Sequence, residues 1–172
     1  MKNMNQSVSR RVKGAVFAAL YVALCLALAP FSYGAVQVRV AEALCLLPIF
    51  GREYIAAITL GCFLANLLGS STIDVIFGTL ATFLACIGTY QLRHVRIKGL
   101  AIPASLPPVL CNAVIVGLEI SFFFMDTPAT LPAVLMNMLT VGIGEVISCT
   151  VLGVAMVKLI EANPALKERF MK

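Results

Sequence analysis

The chain has 172 residues, of which 60% are hydrophobic and 12% are charged, and its formal net charge is +5. A soluble domain carries about 25% charged residues, so this composition excludes an ordinary water-soluble protein, and the length suits one domain. The positive charge does not indicate a nucleic-acid-binding surface, because the basic residues stand in short stretches between apolar runs.

Apolar segments follow one another along the chain, and about 20 apolar residues cross a bilayer as a helix. Helices satisfy their own backbone hydrogen bonds, which lipid requires. We therefore predict one all-α integral membrane domain over residues 1–172, with six transmembrane helices. Their ranges are 14–33, 36–50, 54–70, 74–92, 100–124 and 131–158.

Two of these segments need comment. The first is longer than the apolar core of a signal peptide and is followed by further spans, so we interpret it as a helix of the mature chain. The second is short and contains Arg39 and Glu42. We expect this second helix to be tilted or partly unwound.

The basic residues test this map independently. If the N-terminus is cytoplasmic, all of the 13 Lys and Arg except Arg39 fall in the cytoplasmic segments, and the outer loops 70–74 and 125–130 contain none. This distribution obeys the positive-inside rule. It predicts six spans with both termini in the cytoplasm, followed by an amphiphilic tail from Glu161 that lies at the interface.

The cysteines and the histidine do not predict a catalytic site, and the sequence lacks the known catalytic motifs. The cysteines are scattered one per apolar segment without a Cys-x-x-Cys spacing, so we interpret them as small apolar residues. The one histidine, His94, lies among basic loop residues. The chain lacks a phosphate-binding P-loop, a His-Glu-x-x-His motif and a Gly-x-Ser-x-Gly motif. We expect no metal, no cofactor and no ATP hydrolysis by this chain alone.

Alanine recurs every four residues on the first predicted helix, at Ala15, Ala19, Ala23 and Ala27. This spacing puts the four side chains on one slowly turning face. Small residues let another helix approach closely in lipid. The pattern leaves open whether that helix belongs to a separate membrane subunit or to this chain.

Polar side chains inside the apolar spans form the candidate substrate-binding site. An ionised group at mid-membrane costs about 2.5–3.5 kcal/mol, so such groups face the interior, pair with each other or line a site. We take Asn66 as a structural hydrogen-bonding residue. The candidate binding residues are Gln37, Arg39, Glu42, Asp74, Asn112, Glu119, Asn137 and Glu145.

Helical spacing relates several of these residues. Asn112 and Glu119 are seven residues apart and share a face, whereas Asn137 and Glu145, eight apart, can border one pocket. Arg39 and Glu42 are three residues apart and can pair with each other. The sequence leaves open whether Arg39 binds ligand or only Glu42.

Two stretches, GAVQVRVAEALCLLP from Gly34 to Pro48 and DVIFGTLA from Asp74 to Ala81, resemble the QueT family. These proteins are the substrate-binding S components of energy-coupling factor (ECF) transporters for queuosine precursors. The resemblance implies a six-helix protein of the bacterial cell membrane. It also implies docking through Ala15, Ala19 and Ala23 onto a transmembrane T subunit, with two cytoplasmic ATPase subunits that drive import.

The implied cargo is a 7-deazaguanine, namely queuine, preQ1 or preQ0. One carboxylate can accept the guanine-like N–H edge, an amide or guanidinium can donate to the carbonyl, and a second carboxylate can hold the aminomethyl cation of preQ1. We expect ring contacts from phenylalanines, at Phe77, Phe83, Phe122, Phe123 and Phe124. The alternatives are an S component for another solute, such as a tryptophan or thiamin precursor, and a stand-alone secondary carrier coupled to protons through Glu145.

Overall fold

A computed structural model describes residues 2–29, 38–125 and 128–171, with side chains from Arg10 onward. The regular elements in these ranges are helical, which confirms the all-α class. They are α1 (Lys2–Ala27), a 3₁₀ helix (Val40–Ile49), α2 (Glu53–Gly69), α3 (Thr72–Gln91), α4 (Ile102–Glu119) with a π-helical turn (Ile120–Phe124), α5 (Leu131–Glu145) with a π-helical segment (Val146–Gly153), α6 (Val154–Ala162) and α7 (Pro164–Met171).

Three continuous helical stretches of the described chain are long and apolar enough to cross a membrane. They are Thr72–Gln91, Ile102–Phe124 and Leu131–Ala162. The 3₁₀ helix and α2 are apolar but shorter, about 20 Å and 25 Å long, against a hydrocarbon layer of about 30 Å. The structure therefore shows a helical bundle of membrane type, and the number of six spans stays a prediction.

Two helices extend beyond the predicted spans. The first helix begins at Lys2, before the predicted span start at residue 14, and the last stretch continues to Ala162, beyond the predicted span end at residue 158. The reason is that apolar character marks the part of a helix that suits lipid, whereas backbone hydrogen bonding propagates into the polar flanks. The predicted end of the first span lies outside the described residues.

The 3₁₀ helix forms the centre of the bundle. It contacts α1, α2, α3, α4, α6 and the π-helical segment. Its residues from Ala41 to Ile49 are all buried, and Leu46 and Leu47 are completely enclosed. The expected departure from a regular α-helix in this segment is thus a short central 3₁₀ helix surrounded by longer helices.

Glycine permits two of the closest helix contacts. A Cβ added at Gly61 of α2 would lie 2.8 Å from Tyr21 Cβ on α1 and 3.0 Å from the Ala18 carbonyl oxygen. At Gly117 of α4 it would lie 2.8 Å from Met138 Cα on α5. Larger residues at either position would force the helices apart, so these glycines set the spacing of the elements that carry the polar interior.

A proline inside α4 is compensated by a neighbouring helix. Pro108 has no N–H to donate to the carbonyl of Ala104, four residues earlier. The buried hydroxyl of Thr89 on α3 donates to that carbonyl oxygen at 2.9 Å. A freed backbone carbonyl in an apolar bundle is thereby satisfied across the α3–α4 contact.

Charged residues from several elements meet at one end of the bundle. Arg10 lies 4.0 Å from Glu53, and Arg96 lies 2.8 Å from Glu161. The tail forms α7, whose residues are mostly exposed. Its Phe170 packs into an aromatic cluster at the same end, against the rings of Phe17, Phe50 and Tyr54.

Candidate functional site

The first turn of α3 holds Asp74 in a network of hydrogen bonds. The Ser71 hydroxyl caps the helix by accepting from the Asp74 backbone N–H at 3.1 Å, and the Ser70 hydroxyl donates to the Asp74 carboxylate. Asn66 donates to the Asp74 backbone oxygen at 3.0 Å, which is the structural role expected for it. A carboxylate in this position also faces the positive end of the helix dipole. Asp74 is therefore firmly placed at the rim of the polar interior.

Arg39 pairs with Asp74, at 3.6 Å between a guanidinium nitrogen and the carboxylate. The sequence suggested that Arg39 pairs with Glu42. Among the described residues its ion pair is with Asp74 instead. Arg39 precedes the 3₁₀ helix in an extended conformation, with φ −93° and ψ 92°. Arg39 and Glu42 are joined only through the backbone, where the Glu42 N–H donates to the Arg39 carbonyl oxygen at 2.9 Å, and the Arg39 guanidinium is directed to Asp74.

Glu42 instead receives neutral donors. The Tyr21 hydroxyl of α1 donates to one carboxylate oxygen, and the Cys45 thiol donates to the other at 2.9 Å. Glu42 is buried, as are Tyr21 and Cys45. Sequence reasoning missed both donors: Cys45 was readable from its i+3 spacing, but no pattern connected Tyr21 with Glu42.

One small cavity brings four of the predicted residues together. It is lined by Arg39, Glu42, Asn112, Val116, Val141 and Glu145. It has room for about one water molecule. A second crevice on the other side of Arg39 reaches Asn66 and Ser70, so the guanidinium borders two openings in the same polar region.

Glu145 is tied to the centre of the bundle through a cysteine. The Cys149 thiol lies 3.2 Å from a Glu145 carboxylate oxygen and 3.2 Å from the backbone oxygen of Glu42. Cys149 is fully buried, and it was not among the predicted site residues, although its i+4 spacing from Glu145 was a readable signal. It connects the 3₁₀ helix to the π-helical segment behind the cavity.

Two of the predicted residues have polar atoms without hydrogen-bond partners in the described structure. These atoms are the amide nitrogen of Asn112 and both carboxyl oxygens of Glu119. The residues are only 4% and 2% exposed, and an unsatisfied buried polar group costs about 1–3 kcal/mol. The carboxyl group of Glu119 interacts electrostatically with Asp74 and Arg39. Of the two residues with unpartnered atoms, Asn112 lines the cavity, whereas Glu119 does not line it and lies beside Asp74 and Arg39.

The two buried glutamates of the later helices also share a local backbone feature. Glu119 is the last residue before the π-helical turn, and Glu145 is the last before the π-helical segment. π-Helical segments are rare and frequently occur at functional sites. This feature is independent of the side-chain network and occurs at the same two positions.

The remaining predicted residues lie elsewhere. Gln37 falls outside the described residues. Asn137 donates to the Ser121 hydroxyl at 2.9 Å and to the Met125 sulfur at 3.1 Å, which joins α5 to the end of α4 away from the cavity. The described residues contain no group of three or more His, Cys, Asp or Glu that could hold a metal ion.

The expected ring contacts are corrected. Phe83 and the Phe122–Phe124 run are 41–63% exposed on the outside of the bundle, and Phe77 contacts Phe123 there. The apolar part of the cavity is formed by Val116 and Val141. The physical reason is that phenylalanine on a membrane-type helix is equally stable facing outward.

The alanine stripe faces outward. Ala15, Ala19, Ala23 and Ala27 are all exposed in the described part of the chain, whereas Ala18 on the opposite side is buried against α2. The small-residue face of α1 is thus not used by the described helices of this chain.

Comparisons with known proteins agree on one family. The family model described as "QueT transporter" matches residues 11–162. A protein of Lactococcus lactis subsp. cremoris named "Queuosine precursor transporter QueT" is 44% identical over 70 residues, which cover 40% of this chain and 41% of that protein. The matched stretch thus spans less than half of either. No solved structure shows a significant match.

Proposed function

Since the chain belongs to the QueT transporter family, we propose that it is the substrate-binding S component of an ECF-type importer and takes up a queuosine precursor. The candidate cargoes are queuine, preQ1 and preQ0. The named relative, a queuosine precursor transporter, supports this substrate class. ATP hydrolysis is then assigned to partner subunits, because this chain has no P-loop.

One observation carries the proposal. One buried cavity is lined by Arg39 and Glu42 at the start of the 3₁₀ helix, by Asn112 of α4 and by Glu145 of α5. The amide nitrogen of Asn112 has no hydrogen-bond partner among the described residues. A carboxylate next to an amide donor matches a guanine-type edge, which offers N–H donors beside a carbonyl oxygen. A site of buried polar groups rejects ligands that leave those groups unpaired.

Binding requires the site to widen. A cavity with room for about one water molecule is too small for a bicyclic base. The π-helical backbone after Glu119 and Glu145 begins directly at these two polar residues. We expect the helices to bend there when the cavity widens. Hinge regions of this kind absorb conformational change at element ends.

Calorimetric titration of the purified protein with queuine, preQ1 and preQ0 tests the substrate. We expect at least one to bind, and Asn112→Ala and Glu145→Gln each to weaken that binding. Glu161→Gln serves as a matched control, because Glu161 pairs with Arg96 at the charged end of the bundle. Failure of all three ligands, together with tight binding of another vitamin-like solute, would refute the substrate and leave the transporter class.

The proposed topology has six spans with both termini in the cytoplasm. The charged residues that meet at one end of the bundle, Arg10, Arg96 and Lys13 among them, would mark the cytoplasmic end by the positive-inside rule. The charged tail helix α7 packs at that same end through Phe170. Both observations support one cytoplasmic face.

The outward alanine face of α1 is the proposed docking surface for the T subunit, through Ala15, Ala19 and Ala23. Ala19→Leu and Ala23→Leu should block co-purification with a T subunit and spare ligand binding. The control Val114→Leu, at an exposed position of α4, should leave both co-purification and ligand binding unchanged. Normal assembly of both alanine variants would argue against this surface. Uptake into liposomes without ATPase subunits would instead favour the stand-alone carrier.

A further inference from the structure

The buried interior contains more acidic than basic side chains. Its carboxyl groups are those of Glu42, Asp74, Glu119 and Glu145, each 2–8% exposed. The one cation beside them is Arg39: apart from it, the sequence has no Lys or Arg in residues 14–51, 53–92 or 99–157. The internal segments 30–37 and 126–127, which the structure does not describe, contain no Lys or Arg. The four carboxylates less one guanidinium leave an excess of three negative charges when all are ionised.

The hydrogen bonds of the interior do not cancel this excess. Arg39 is already paired with Asp74. The donors to Glu42 and Glu145 are a phenol and thiols, which are neutral. No cationic or neutral donor of the described residues reaches the carboxyl oxygens of Glu119, and the polar group beside them is the carboxyl group of Asp74. Uncompensated charge in an apolar interior is strongly unfavourable, so a bound cation would stabilise these carboxylates.

The geometry places the free groups at two levels of α4. Asn112 lines the cavity beside Glu145, and this pair suits the guanine-type edge. Glu119 lies two turns farther along the same face, about 10 Å along the axis, next to the Arg39–Asp74 pair. A substituent projecting from the five-membered ring of a deazaguanine would reach toward Glu119 when the opposite edge is held at Asn112.

We propose that the cargo is a cation, a 7-deazaguanine with a protonated amine on its 7-substituent, and that Glu119 holds this amine. The inference rests on the proposed function. It assigns preQ1 and queuine, which bear an amine, as cargo and excludes the neutral nitrile preQ0. The amine restores one positive charge to the acidic interior, whereas the nitrile leaves the excess unchanged.

Paired calorimetric titrations of the purified protein with preQ1 and preQ0 test the charge directly, since the two share the same ring. We expect preQ1 to bind at least about tenfold more tightly than preQ0, which corresponds to about 1.4 kcal/mol. Equal affinities would overturn the inference and leave the proposed function intact, and would indicate that protons neutralise the carboxylates. No binding of preQ1, preQ0 or queuine would overturn both.

The substitution Glu119→Gln tests whether Glu119 holds the ligand's amine. Glu119→Gln should weaken preQ1 binding at least about tenfold and preQ0 binding less than about threefold, because the amide keeps the size but not the charge. Asn112→Ala should weaken both ligands alike, and Glu161→Gln should change neither. Thermal unfolding of each variant establishes that it is folded. An unchanged preQ1-to-preQ0 ratio in folded Glu119→Gln would overturn the assignment of Glu119.

Discussion

Replacing Arg39 by Gln removes the cation that pairs with Asp74 in the described interior. At the observed 3.6 Å separation from Asp74, two unit charges interact by about 4–5 kcal/mol at an effective dielectric constant of about 20. The side chains are 21% and 11% exposed, so solvent screening and desolvation offset part of this. We expect Arg39→Gln to lower the free energy of unfolding by about 2–4 kcal/mol, since it leaves a carboxylate unpaired.

The assay is unfolding in mixed detergent micelles followed by circular dichroism, as a double-mutant cycle with Asp74→Asn. The double variant should be less destabilised than the sum of the two single variants, with a coupling of at least about 1 kcal/mol. Arg96→Gln is the matched control. It breaks a shorter pair, 2.8 Å from Glu161, but at the basic end of the bundle, and should cost no more than about 1 kcal/mol.

Wild-type stability of Arg39→Gln, or a coupling below about 0.5 kcal/mol, would refute a stabilising role of the Arg39–Asp74 pair. An effect of Arg96→Gln as large as that of Arg39→Gln would contradict the expected difference between the two pairs. That result would mean that the contribution of an ion pair to the free energy of unfolding depends on the distance between its charges and not on the charge of its surroundings.

Three further changes test the packing. Thr89→Val should lower the free energy of unfolding by about 1–3 kcal/mol, because the buried Ala104 carbonyl loses its donor. Gly61→Leu should destabilise by about 1–3 kcal/mol or more, since even a Cβ there would lie 3.0 Å from the Ala18 oxygen. Phe170→Ala should cost about 1–2 kcal/mol of ring contacts and speed tryptic cleavage of the tail.

Each of these three packing predictions has an outcome that would contradict it. Wild-type stability of Thr89→Val would mean that the carbonyl finds another donor. Gly61→Leu should be compared with Gly142→Leu, where an added Cβ would be in ordinary contact at 3.5 Å from Ala113, and equal effects would argue against the close α1–α2 contact. An unchanged cleavage rate in Phe170→Ala would show that the tail is held by other contacts.

Local features were predictable from the sequence because they depend on neighbours along the chain. The long apolar segments predicted an all-helical bundle, since lipid leaves the backbone no other partners. The spacing of Asn112 and Glu119 put both on one face of α4, and both are buried there. The irregular second segment was foreseeable from Arg39 and Glu42 within a short apolar run.

Contacts between distant residues were decided only by the tertiary structure. Arg39 meets Asp74, 35 residues away, and Tyr21 donates to Glu42, 21 residues away. Such pairs depend on how each helix is rotated about its axis and how closely it approaches its neighbours, which hydropathy does not encode. The outward direction of the phenylalanines, Phe122 among them, has the same origin. A large apolar side chain is stable on either face of a helix in lipid. The apolar composition of a segment therefore predicts a helix, but only the packing of the helices determines whether a phenylalanine faces the interior or the lipid.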